Sequence, residues 1–118
     1  MRLAALLFLG SALGFAGNWS GILVDSKGYA SEQSNVNKNP MTLDRDMAFE
    51  VRYCSPNVRT KAFSVVLPDW DSLEFDSAGN AKAAELARKT SKKSVLDVTV
   101  IGDLNKDRIK VASISSDR

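Results

Sequence analysis

VLDVTVIGDLNKDRIKVASI, residues 95–114, alternates apolar and polar side chains on both sides of a polar centre. Leu96, Val98 and Val100 share one parity before that centre, and Ile109 and Val111 share one after it. A period of two places such residues on one face of an extended chain. The polar centre supplies turn residues, so the stretch predicts a β-hairpin with a loop over residues 102–107. Everything upstream is then read as what must pack against this hairpin.

Immediately before it lies NAKAAELARKT, residues 80–90, where Ala83, Leu86 and Ala87 line one face at helical spacing and Glu85 precedes Lys89 by four. Asn80 is placed to cap this helix. Its apolar face is thin, which suits a lid across a sheet. RKTSKK, residues 88–93, reads as a solvated helix end whose cations complement the negative pole of the helix dipole.

Further upstream, KAFSVVL, residues 61–67, puts Phe63, Val65 and Leu67 on one face before Pro68 ends the run, and DSLEFD, residues 71–76, turns Leu73 and Phe75 inward. RDMAFEVRYC, residues 45–54, is read as another strand, with Met47, Phe49, Val51 and Tyr53 on the core side and Glu50, Arg52 and Cys54 on the other. WSGILVD, residues 19–25, is the first strand. Between these two, residues 26–44 are polar and aperiodic and read as a long loop. Three or four strands, one helix and two strands predict a mainly β fold with one helix: a small, OB-like, partly open barrel of five to six strands, its bottom plugged by the helix. The alternative is a two-layer α+β antiparallel sheet with the helix on one face.

The chain opens MRLAALLFLGSALGFAG, with Arg2 before an apolar run and then small residues. That is the pattern of a secretory signal peptide, residues 1–16, with cleavage after Ala16 and Gly14 in the minus-three position. Ala12 and Gly14 fit the same rule for cleavage two residues earlier. The apolar run is short against the ~20 residues of a spanning helix, so the mature product, residues 17–118, is expected to be one exported domain, periplasmic or extracellular, with no membrane segment. Loss of Arg2 leaves the charges nearly balanced against 14 acidic residues. That balance, with Tyr53 and Phe63 assigned to core parity and Trp19 to the barrel mouth, argues against nucleic acid as a partner.

Cys54 is the single cysteine. An odd thiol in an exported protein points to an intermolecular bridge, a reactive group or a lost partner. The combination of WSGILVD, RYCSP at 52–56, AGNAKA at 78–83, VTVIG at 98–102 and IKVASI at 109–114 resembles a family of small exported bacterial proteins of unknown function. The resemblance implies a cysteine at the position held here by Gly28, paired with the one in RYC, so that Cys54 is the surviving half of a bridge.

The chain has no histidine, which removes histidine-based triads, general bases and zinc sites. Asp69, Asp71, Glu74 and Asp76 read as solvated turn acids. DLNKD, residues 103–107, opens like a calcium loop, but Arg108 stands where glycine is required and Ile114 where a closing glutamate belongs. No catalytic residue, metal or cofactor is therefore expected. What remains is a non-catalytic binding module for an envelope glycan, a peptide or a protein. By the OB geometry its ligand residues are Glu50, Arg52 and Ser64 on outward strand faces, Tyr29 and Lys38 in the first loop, and Asn105 and Lys106 in the last. The alternative is a structural or assembly protein, associating edge to edge or as a Cys54-linked dimer rather than a monomer.

Overall fold

The computed structural model describes residues 15–35, 43–90 and 95–117. The elements in chain order are β1 (Phe15–Asp25), α1 (Ser26–Asn35), α2 (Leu43–Tyr53), β2 (Phe63–Val66), β3 (Ser72–Phe75), α3 (Ser77–Lys89), β4 (Asp97–Asn105) and β5 (Arg108–Ser116). The strands close into a barrel in the order β1, β2, β3, β5, β4. All pairings are antiparallel except that of β3 with β5, which is parallel. This is the small OB-like barrel expected, closed and mainly β.

β1 makes the closure possible by serving two neighbours. Its first part pairs with β4 from Phe15↔Leu104 to Ile22↔Asp97, and its last part pairs with β2 from Ile22↔Val66 to Asp25↔Phe63. Gly21 sits at the handover, where an added Cβ would stand 2.2 Å from the Val66 carbonyl oxygen. Only glycine allows two backbones to approach so closely.

The barrel interior holds Leu23, Phe63, Val65, Phe75, Val98, Val100, Ile109 and Val111, with Ala83 and Ala87 of α3 closing one end. Odd positions of β2 and even positions of β4 thus point inward, as the alternation predicted. Trp19 packs at the margin of the same cluster.

Four details differ from the sequence reading. The segment read as a strand over residues 47–54 is the helix α2: Met47, Val51 and Cys54 are buried, whereas Phe49 is 62% and Tyr53 70% exposed. Leu43, Met47, Val51 and Cys54 also satisfy a helical period, and Asp44 and Asp46 in the first turn with Arg52 in the last suit the helix dipole. Alternation and helical spacing overlapped here, and packing chose the helix. Likewise the first part of the long polar loop is α1, started by Asp25, whose Oδ1 accepts the Gly28 N–H at 3.0 Å. The described residues therefore form three helices rather than one.

α3 begins earlier than expected, because Asp76 rather than Asn80 caps it: Asp76 Oδ1 accepts the Gly79 N–H at 2.9 Å. Asn80 Oδ1 instead accepts the Phe63 N–H. The expected hairpin loop also shrinks. β4 continues through a bulge at Ile101/Gly102 to Asn105, leaving Lys106 and Asp107 as the turn, with Lys106 at φ 62°. Residues 1–14 of the expected signal peptide, and Lys38, lie outside the described residues.

Candidate functional site

The outward face of the β1–β2 sheet does not lie open. Val24 and Val66 point away from the barrel interior and pack against Tyr29 of α1, Met47 and Val51 of α2 and Cys54 just after it. Ser64 shares their outward parity, but it is 1% exposed and its hydroxyl donates to Ser26 Oγ at 2.9 Å. Tyr29, expected in a ligand-facing loop, is 1% exposed for the same reason. The two helices form a roof over the part of the barrel where the sequence reading placed its ligand.

The roof is fastened at the β2–β3 turn. Trp70 adopts φ 73°, a left-handed conformation costly for a bulky residue. Its carbonyl accepts the Tyr29 hydroxyl at 2.9 Å, and its indole Nε1–H donates to Asp44 Oδ1 at 2.9 Å. One residue therefore holds both helices. Burial, reinforced by Cys54, Asp71 and Asp69, pushes the Tyr29 phenol up to about 12, so it stays a hydrogen-bond donor.

The other expected site residues do not converge. Glu50 and Arg52 lie on α2 instead of on a strand, because that segment is helical. Glu50 Oε1 is buried with no hydrogen-bond partner among the described residues. Burial first, then a side-chain hydrogen bond with Glu32 and the charges of Glu32 and Asp46, push the Glu50 carboxyl above its usual value. Asn105 and Lys106 are exposed at the β4–β5 turn, near the start of β1. Ser64 pairs with Val24 toward the other end of β1, about 30 Å away along the strand path. Cys54, expected on a charged face, is 5% exposed. Burial, then Glu32, Glu50 and Asp25, raise its thiol to about 11, which suppresses the reactive thiolate.

An open concavity lies elsewhere, between α3 and β5. It is a groove of about 650 Å³ lined by α3 residues Ala78, Ala81, Lys82, Glu85, Leu86 and Lys89 and by β5 residues 112–114. A second cleft, where Phe63 and Thr60 meet Ala84 and Ala87, holds only about 90 Å³. Ligand sites commonly span ~300–1,000 Å³, so the groove is the roomier candidate.

The groove exists because α3 has two working faces. Gly79, Ala83 and Ala87 turn into the barrel, and a Cβ on Gly79 would stand 2.4 Å from Val111 Cγ2. That contact brings the helix start close to β5. The flank at 78, 82, 85 and 89 then rises beside the strand. Leu86 and Ile114 are only partly buried against the core and form the apolar floor. The sequence reading paired Glu85 with Lys89 on the helix and did not single out Lys82. The alanines at 78, 81 and 112 are too small to fill the space between helix and strand, which shows only once both elements are placed.

Among the described residues no three histidine, cysteine, aspartate or glutamate side chains gather as a metal site would require. Fold and surface together define a small OB-like barrel with a helical roof over one sheet face and an open groove beside α3. Comparison with protein-family models, curated proteins and solved structures found no match.

Proposed function

We propose that the protein is an exported, non-catalytic binding module whose ligand sits in the groove between α3 and β5. The observation that carries this reading is the groove itself: about 650 Å³, floored by Leu86 and Ile114 and walled by Lys82, Glu85 and Lys89. An apolar floor with a few polar groups on its rim is the usual form of a binding site. The absence of histidine from the sequence and the scatter of the carboxylates favour binding over catalysis. Its partner is an envelope glycan, a peptide or a protein, in keeping with the signal-peptide pattern at the N-terminus and with the resemblance to small exported proteins. β1 begins at Phe15, so cleavage after Gly14 would keep the whole strand, and cleavage after Ala16 would still keep its ladder from Gly17 onward.

Assembly through Cys54 is the weaker reading. A covalent dimer needs an accessible thiolate, and this thiol is buried under the roof with its pKa raised.

The test is binding to arrays of cell-envelope glycans and of peptides, using wild type and Ala81→Trp. Ala81 is exposed on the groove wall, so tryptophan there fills the groove without entering the core. Ligands bound by wild type and lost by a variant of unchanged melting temperature are the predicted result. Ligands bound equally well by both, or none bound by either, would overturn the proposal.

A further inference from the structure

β5 is an incompletely covered strand. Its pairing with β3 consists of Glu74↔Arg108 and Phe75↔Ile109. Asp76 extends that coverage by one step: its N–H donates to the Ile109 carbonyl at 3.0 Å, and its Oδ1 accepts the Val111 N–H at 3.2 Å. Beyond Val111, β5 has no strand partner on that side among the described residues, and the groove begins.

The ladder with β4 shows which backbone groups face it. Asp117 N–H donates to the Asp97 carbonyl at 2.9 Å, and the register runs Val98↔Ser116, Thr99↔Ser115, Val100↔Ile114. Hydrogen-bonded and non-hydrogen-bonded pairs alternate in an antiparallel ladder, so Val100↔Ile114 is a non-hydrogen-bonded pair. The Ile114 N–H and C=O therefore point away from β4, toward the groove. An exposed strand edge of this kind offers its backbone to another extended chain.

Length and charge narrow the occupant. From Ala78 to Lys89 the helical wall runs about 16 Å at 1.5 Å per residue, the length of about five extended residues. Glu85 is engaged by Arg88 and by Lys89, the latter at 3.6 Å. Lys82 has no ion-pair partner among the described residues, and with Lys89 it outweighs Glu85, so the groove wall carries an excess of positive charge. Resting on the reading of the groove as the binding site, we infer that its ligand is an extended acidic peptide segment that adds to β5 as a further strand. Its main chain pairs with Ile114, alternate apolar side chains lie on Leu86 and Ile114, and carboxylates on the other residues meet Lys82.

The experiment titrates isotope-labelled full-length mature protein with short acetylated and amidated peptides in which Glu or Asp alternates with Val, Ile or Phe. A parallel set is N-methylated at alternate amides. The predicted result is binding that slows hydrogen exchange of the Ile114 amide, fails with the N-methylated peptides, and weakens about fivefold to tenfold in Lys82→Glu. Peptides that shift Lys82 and Leu86 signals without protecting Ile114, or that bind equally well when N-methylated, would overturn strand addition while leaving the groove as a binding site. Groove signals that no peptide moves would also overturn it, and the array experiment with Ala81→Trp then decides separately whether the groove binds anything. Ile114 protection that rises with protein concentration in the absence of peptide would assign the edge to a second copy and overturn the peptide inference.

Discussion

The Asp25 N–H donates to the carbonyl oxygen of Cys54 at 2.8 Å, tying the end of β1 to the residue that follows α2. The same aspartate accepts the Gly28 N–H through Oδ1, so Gly28 and Cys54 both adjoin one residue. The nearest atoms that a Cβ on Gly28 would meet belong to Asp25, at 3.6 to 3.8 Å, which leaves room for a side chain. Gly28→Cys is therefore predicted to form an intramolecular bridge with Cys54 and to raise stability by about 3 kcal/mol. Thiol titration and urea unfolding with and without reductant check this. Two thiols persisting under oxidising conditions would count against the bridge and against the family resemblance that implies it.

The helical assignment of α2 has a sharp mutational signature. Met47 is 2% exposed and packs under the roof, while Phe49 lies on the outer surface. Met47→Ala should cost about 2–5 kcal/mol, and Phe49→Ala should stay within about 0.5 kcal/mol of wild type. A strand would bury both residues and make both changes costly. Chemical unfolding of the two variants distinguishes the cases.

These two residues also show how much of the fold was legible in sequence. The barrel strands were readable because their alternation had a single interpretation: Phe63 and Val65, or Val98 and Val100, match no helical stripe. In RDMAFEVRYC the buried set Met47, Val51, Cys54 and the alternating set Met47, Phe49, Val51, Tyr53 share members, and nothing local ranks them. α1 was harder still, because among its described side chains Tyr29 is the one large residue fully buried and its start is marked by Asp25, a residue already assigned to a strand. The candidate groove was illegible for a different reason. It is a space between α3 and β5, and small residues such as Ala81 and Ala112 reveal a space only once the elements are positioned.

Glu50 is predicted to be a liability at neutral pH. Its Oε1 is buried without a partner among the described residues, and Glu32 and Asp46 stand near it. A carboxyl whose folded pKa is raised stabilises the fold below its ordinary value of 4.5 and loses that contribution as pH climbs through the folded value. Glu50→Gln removes the charge and should stabilise the neutral protein by about 0.5–1 kcal/mol. The advantage should fade as the solution is made acidic. Thermal unfolding across that pH range measures it, and a variant less stable than wild type at neutral pH would contradict the argument.

In the proposed function the roof over β1 and β2 directs ligand binding to the α3–β5 groove, and Cys54 is a natural reporter of whether that roof is closed. It is 5% exposed, and its thiol is raised from 9.0 to about 11. The most direct measurement is the rate at which an aromatic disulfide reagent labels Cys54 in native and in denatured protein at the same near-neutral pH. The pKa shift alone lowers the thiolate fraction about a hundredfold, and burial slows access further, so labelling of the native protein should be at least about a hundredfold slower. Native labelling within a few-fold of the denatured rate would mean that the roof stands open and the outer face of β2 is available after all.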